Sequence, residues 1–221
     1  MKRVLVPELL DSDAGTPAEV QGSLADLRMI NRWFGGVGTT CSLVKKIAHA
    51  RNLRRISCLE VAAGSGDVPE VARDRLRKRG LELQITLLDR ALTHLNHDAP
   101  SVVGDALHLP FRDDSFDVIS CGLFAHHLEP EQIIIFVNAA LRIARVAVLI
   151  NDLIRHPLHL ALVYAGFPLY RSRLTRHDGP ASVRRAYTPQ EMKRLLAQTE
   201  ASRVDIESYY LFRMGVIAWR E

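Results

Sequence analysis

The chain predicts an α/β protein, a mostly parallel sheet with helices on both faces. Three observations predict it. From residue 56 onward, apolar strands alternate with amphipathic helices, the pattern of a sheet wound through crossover helices. The first of these strands runs through small residues into a helix, in "CLEVAAGSGDVPEVA" (58–72). The composition, 48% hydrophobic and 24% charged over 221 residues, is that of an ordinary globular chain, long enough for one buried core with an arm or lid attached.

Two helices precede the sheet. Residues 17–33 place Val20, Leu24, Leu27, Ile30 and Trp33 at helical spacing. "FGGVG" (34–38) breaks that helix, and "TTCSLVKKIAHARN" reads as another, with Thr39 or Thr40 as its cap. "ISCLEVAA" (56–63) is the first strand and "DVPEVARDRLRKRG" a helix closed by Gly80. "LELQITLLD" (81–89) is the second strand, "ALTHLNHDA" a short helix, "SVVGDA" (101–106) the third strand and "FDVISCGLF" (116–124) the fourth. A helix opens at Pro130, where proline suits a first turn, and "VAVLIND" (146–152) is the fifth strand. Residues 153–187 hold no strand pattern, although "HPLHLALVYAGFPLY" reads as an apolar helix. "TPQEMKRLLAQT" (188–199) carries a capping box, Thr188 with Glu191, and Pro189 at its first position. "VDIESYYLF" and "GVIAW" then form two strands joined by a tight turn near Arg213. Residues 1–50 thus read as a helical arm or cap, and 51–221 as the sheet domain with a lid insertion at 153–187.

Charge narrows the partners. Net charge is +4, from 29 basic and 25 acidic residues, and the arginines are scattered rather than gathered on one stripe. No nucleic-acid partner is expected. Cys41, Cys58 and Cys121 lie far apart, which indicates neither a disulfide framework nor a zinc site and fits a reducing cytoplasm. His156 and His159 lack acidic or thiol company, so no metal is expected there. "MKRVLVPELLDSDAG" turns acidic too soon for a signal peptide. The longest apolar run, 158–170, falls short of the ~20 residues that span a bilayer. A soluble, cytoplasmic protein without stable membrane insertion is expected; a homodimer is left open.

The glycine turn suggests a ligand. Glu60 stands near the strand end, and Ala62, Gly64 and Gly66 follow at alternate positions. Small residues let the backbone approach a ligand, and the next helix offers its free N–H groups. A dinucleotide fold is one rival, but its third glycine would fall where the chain has Pro69. A bare structural turn is another. Asp89 ends the second strand 23 residues beyond Gly66, where a carboxylate takes ribose hydroxyls. Asp105 ends the third strand, placed to accept from an adenine amino group while the Ala106 N–H faces a ring nitrogen. These positions read an adenosine and offer no pyrophosphate clamp.

The run "LEVAAGSGD", then "LLDRA", then "VVGDALHLPFRDDSFDVISCGLFAHHL" resembles the class I S-adenosylmethionine-dependent methyltransferases. The motifs cover roughly residues 55–152. The overall likeness is to small bacterial polyketide-associated enzymes that modify phenolic or quinone-like products, and it extends less specifically to "LADLRMINRWFGG" and "RHDGPASVRRAY". One departure is Ala62, where the family usually has glycine. The resemblance implies a Rossmann-like, seven-stranded sheet whose last strand runs antiparallel. It implies that Glu60 and the backbone from Ala62 to Gly66 surround the methionine part of S-adenosylmethionine. It also implies that Asp89 binds the ribose, Arg90 lies over the adenine, and Asp105 with Ala106 contacts the base. Cys121 and Gly122 would face the sulfonium. In the arm, Arg28, Asn31, Arg32 and Trp33 would close over the cofactor's carboxylate, although packing explains Trp33 equally well.

The cofactor brings its own activation, so the protein has to align an acceptor and exclude water. A phenol near pKa 10 facing a histidine near 6.5 is mismatched by about 3.5 units, roughly 5 kcal/mol for transfer beforehand. Histidine therefore helps as the new bond forms. His126 and His127 in "GLFAHHLEP" follow the fourth strand, and ligands bind at such strand ends. The alternative is that they pin the loop through backbone hydrogen bonds. Neighbours on a turn point differently, so one of the pair is expected to act. Residues 153–187 are expected to cover the same mouth, Phe167 and Tyr170 suiting a flat aromatic or lipid-like acceptor; ordinary packing on the sheet edge is the rival. His177 beside Asp178 would orient a hydroxyl and Arg184 or Arg185 hold a carboxylate, unless 178–180 is a turn among solvated arginines. The expected reaction is O-methylation of a small phenolic or hydroxyquinone acceptor of polyketide type. The alternatives are C-methylation of a quinol or isoprenoid quinone precursor, and a cofactor-binding accessory protein without turnover.

Overall fold

Seven strands form one sheet in the order β3-β2-β1-β4-β5-β7-β6. The computed structural model describes residues 1–12, 14–91 and 99–221; the helix expected over "ALTHLNHDA" lies almost wholly outside them. β1 (Arg55–Val61), β2 (Glu82–Asp89), β3 (Ser101–Val103), β4 (Phe116–Gly122) and β5 (Ala144–Leu153) run parallel. β6 (Arg203–Tyr209) and β7 (Arg213–Trp219) form a hairpin, and β7 lies antiparallel to β5. The strand order reverses between β1 and β4, which opens a crevice at their carboxyl ends. There Glu60 pairs with Ser120, Val61 with Cys121 and Gly122 with Asn151.

Helices cover both faces. On one, α2 (Gly36–Ala50) and α3 (Asp67–Arg77) set Leu43, Val44, Ile47, Ala72 and Leu76 against Ile56, Cys58, Val118 and Leu149. On the other, α4 (Pro130–Ile143) and α7 (Pro189–Leu196) set Ile133, Phe136, Val137 and Met192 against Leu59, Ile119, Val148 and Val216. Strands buried on both faces explain the near-continuous apolar runs, and each large side chain buried here contributes about 1.5–3 kcal/mol. α7 carries its Thr188–Glu191 capping box.

Three local expectations differ. α2 begins at Gly36, inside the expected break, and Thr39 and Thr40 are buried within it rather than capping it. Gly35 takes φ +87°, and a side chain at Gly36 would collide with Asn31 Oδ1, so the "GG" pair turns α1 (Pro17–Trp33) directly into α2. Residues 178–180 are no turn. They continue α6 (Arg173–Arg185), with Pro180 in its interior. The proline removes one backbone bond, and long-range ties hold the helix there: buried Asp178 accepts from Leu9 N (2.8 Å) and Leu10 N (3.0 Å). Finally, β3 stops at Val103, before Asp105.

α1, α6 and α5 (Pro157–Ala165) form a helical layer over the carboxyl ends of the strands. Thr16 caps α1 through a capping box. Buried Asp26 of α1 accepts from Arg171 N and Ser172 N at the start of α6, where a carboxylate complements the free N–H groups of a helix N-terminus. Residues 1–12 lie across α6 and the β4 loop as a strap. Arg3 donates to Arg185 O (2.7 Å) and Leu128 O (3.0 Å), and Val4 N to Arg184 O (3.1 Å). Among the described residues, no helix is long and apolar enough to cross a membrane.

Candidate active site

Between the strand ends and the helical layer lie two adjoining compartments that share Leu24, Leu27, Ala62, Gly64, Leu123 and Arg213 as wall. The smaller, about 160 Å³, is bounded by Glu60, Gly64, Gly122, Arg28, Asn31 and Asn151. Glu60 is buried at the end of β1, and burial pushes its carboxyl up to about 7 against the hydrogen bonds from Ser120 and the Gly122 N–H. Asn151 donates to Gly36 O (2.8 Å) and Thr40 Oγ1 (2.9 Å), which leaves its buried Oδ1 without a hydrogen-bond partner. A buried carboxylate and a lone amide oxygen suit a cationic group. Opposite them, Arg213 is fully buried, with its guanidinium on Asn31 Oδ1 (2.8 Å) and its pKa depressed to about 10 by burial, an effect Asp152 opposes.

The turn after β1 shows why its small residues are needed. Gly64 has φ +53° and nothing within 4 Å of where a Cβ would stand, so backbone forms the wall. Gly66 has φ +74°, and a Cβ there would meet Leu87 Cδ1 at 2.7 Å; it packs against β2 and does not line the cavity. Ala62 holds φ +54° and Leu123 φ +55°, left-handed backbone that costs about 1–2 kcal/mol in a residue with a Cβ. Asp89 ties the turn to β2: Oδ2 accepts from Gly64 N (2.8 Å) and Oδ1 from Ala91 N (2.9 Å).

The larger compartment, about 590 Å³, begins along Asp89, Arg90, Asp105 and Ala106. Asp105 accepts from Leu107 N (2.8 Å), which with His108 holds its carboxyl below the usual range. The compartment continues under Leu153, Val163, Tyr170 and Val183 to Phe124, His126 and His127, where the strap brings Glu8 and Asp11. His126 Nδ1 lies 2.7 Å from Asp152 Oδ1, and its backbone N–H donates to Asp152 Oδ2 (2.9 Å). Its Nε2 is 3.4 Å from Glu8 Oε1 and has no hydrogen-bond partner. Burial alone would lower the His126 pKa; Asp152 and Glu8 instead raise it to about 9. Burial in turn raises the Glu8 carboxyl, and His126, His127 and the Ser182 hydroxyl together bring it below its ordinary value. His127 Nδ1 lies 3.1 Å from Asp11 Oδ2.

Several expected residues stand elsewhere. Arg32 and Trp33 point away from the cavity, Trp33 70% exposed; the face of α1 that lines it bears Leu24, Leu27, Arg28 and Asn31. Cys121 is fully buried in the core, where burial pushes its thiol up, and Gly122 alone reaches the wall. Phe167 packs between Tyr164 and Tyr170, and Tyr170 lines the cavity without it. His177 pairs with Asp178 (2.8 Å) away from the wall, and Arg184 donates to the Tyr164 hydroxyl; Arg185 faces the cavity instead. The histidine pair does not diverge. A 3₁₀ turn over Ala125–His127 places both rings on the cavity, their centroids 4.2 Å apart. Asn151, Asp152 and Arg213 went unnoticed in the sequence as site residues, as did Glu8 and Asp11. Only the first two, at the end of the fifth strand, carry a positional signal.

A family model described as a methyltransferase domain matches residues 59–146. The plantazolicin methyltransferase BpumL, solved with a triazolic desmethylPZN analogue and SAH, has a TM-score of 0.69 at 14% identity, over 97% of this chain and 95% of that one. A Nostoc punctiforme protein described as a candidate O-methyltransferase gives 0.60 at 14%, over 92% and 60%. The citrinin polyketide synthase CMeT domain gives 0.52 at 14%, over 74% and 46%. No curated protein matches in sequence. At these identities the structural likeness is one of fold, and that fold is the Rossmann-like sheet of the class I methyltransferases. The matched methyltransferase domain lies within this fold, which identifies an S-adenosylmethionine-dependent methyltransferase.

Proposed function

We propose that the protein O-methylates a small phenolic or hydroxyquinone acceptor. S-adenosylmethionine supplies a methyl group on a sulfonium, so that the S–C bond breaks with its electron pair going to sulfur as the acceptor's oxygen forms the new bond. In this reading Glu60 and Asn151 face the cationic methionine end. Arg28 and Arg213, in place of Arg32, hold its carboxylate. The Gly64 backbone admits it closely, and Asp89, Arg90, Asp105 and Ala106 line the adenosine. The acceptor lies beneath Leu153, Val163 and Tyr170. Residues 1–50 and 153–187 serve as cap and lid, and by covering the cavity they exclude water.

The supporting observation is that one continuous cavity joins Asp89 and Gly64 to His126 and His127. One histidine of the pair then has the task of relieving the acceptor's hydroxyl of its proton; His126, kept protonated up to about pH 9 by Asp152 and Glu8, leaves that task to His127. Asp152 fixes His126 Nδ1 as the donor, so that Nε2 faces the cavity. The test is turnover with methyl-labelled cofactor on a panel of phenols and hydroxyquinones, with the product's methyl located on oxygen or carbon. His126→Ala and His127→Ala should each lower kcat while leaving S-adenosylhomocysteine affinity unchanged; unaltered kcat in both variants removes the pair from the reaction. Methyl found on carbon would favour the second reading, C-methylation of a quinol or isoprenoid quinone precursor.

A further inference from the structure

We infer that Glu8, His126 and His127 form a binding site for one divalent transition-metal ion, which deepens and rests on the reading above. The ligand atoms of all three converge within 4.8 Å of one another. Glu8 Oε1 lies 3.4 Å from His126 Nε2, and Oε2 lies 3.8 Å from His127 Nε2. Four ligands about 2.0–2.1 Å from a zinc-like ion stand about 3.3–3.4 Å apart on a tetrahedron, so the gap has the size of a coordination shell.

Both imidazoles are oriented for ligation. Asp152 holds His126 Nδ1 at 2.7 Å and Asp11 holds His127 Nδ1 at 3.1 Å. A carboxylate behind each histidine fixes the tautomer that presents the Nε2 lone pair, the usual support of a metal-bound histidine. Both nitrogens face the Glu8 carboxylate, where a bound ion would take the place of a proton between His126 and Glu8. His126 Nε2 is buried and unpartnered. Arg185 stands 4.0 Å from Glu8 and 3.7 Å from Asp11, outside hydrogen-bonding distance of either. Two imidazoles with one carboxylate suit zinc or ferrous iron better than magnesium or calcium.

The site lies on the wall of the acceptor compartment, so its open positions face the acceptor. A hydroxyl oxygen bound there ionises more readily because the ion stabilises its anion, and its proton passes to solvent. The imidazoles then serve as ligands, and the ion activates the hydroxyl.

The test uses the untagged full chain, stripped of metal and titrated with Co²⁺ and Zn²⁺. Binding is followed by calorimetry, by the melting temperature and by the visible absorption of Co²⁺. The expected result is a single equivalent bound, a raised melting temperature and a tetrahedral Co²⁺ spectrum. Asp11→Asn should weaken binding roughly tenfold, with Glu8→Gln and His127→Ala weakening it further. Should Glu8→Gln fail to fold, the other two variants carry the test. No binding, or binding equal in all folded variants, overturns the inference and leaves an imidazolium–carboxylate pair. S-adenosylhomocysteine is titrated into the same samples. Heat from it without heat from metal defeats this inference alone, whereas no heat from it defeats the methyltransferase site.

Discussion

The two ends of the cavity are assembled differently. The end proposed for the cofactor takes Glu60, Gly122, Asn151 and Asp89 from the ends of four strands that are locked in register by the sheet. The end proposed for the acceptor takes Glu8 and Asp11 from the strap, His126 and His127 from a 3₁₀ turn, Asp152 from β5 and Arg185 from α6. Backbone pairing positions the first set before any side chain is chosen. The second set is held by single side-chain ties, among them Asp178 to the strap and Asp26 to α6. A rigid end can serve one fixed cofactor, and an end built of separable pieces can be reshaped for different acceptors.

The largest effect should come from Glu60→Gln. Burial lifts the Glu60 carboxyl to about 7 from an ordinary 4.5. Its favourable contribution in the cofactor-free fold is therefore complete below the ordinary value and is lost as pH rises through 7. The loss amounts to about 3 kcal/mol. Denaturant unfolding at pH 8 should find Glu60→Gln more stable by up to about that much, with no gain at pH 4. Wild-type cofactor affinity should fall roughly tenfold from pH 8 to pH 6, as the carboxylate that faces the cation is protonated, and the variant should lose that dependence. A stability gain equal at both pH values would show that Glu60 is not held as described.

Next, Asp89→Ala should weaken S-adenosylhomocysteine binding about a hundredfold in calorimetry, through loss of charge-assisted hydrogen bonds and of the Gly64 tie. It should leave hydrogen exchange of the strap unchanged. Asp178→Ala should do the reverse: about 2 kcal/mol lost from stability, faster exchange at residues 1–12, and cofactor affinity unaltered. If either variant perturbed both ends equally, the division between them would fail. The smallest effect belongs to Ala62→Gly, which should stabilise the fold by about 1 kcal/mol by relieving its left-handed φ.

The strands and most helix starts were legible because they depend on local rules. The capping box at Thr188, the strand-to-turn transition at Val61 and the acids at strand ends all act within a few residues of sequence. Where a local rule failed, a distant group had outweighed it. Proline in α6 would ordinarily stop a helix, and the strap's hydrogen bonds to Asp178 hold it; a threonine that looked like a cap is instead buried against Asn151.

By itself, the order of apolar runs, small-residue turns and strand-end acids determined the sheet and which residues stand at its strand ends, since hydrogen-bonded strands carry each residue to a predictable height. Only the tertiary structure decided which histidines, carboxylates and arginines share the acceptor wall. Glu8 lies more than a hundred residues from His126 in the chain, and no periodicity or spacing encodes a contact that forms only when separate elements pack together.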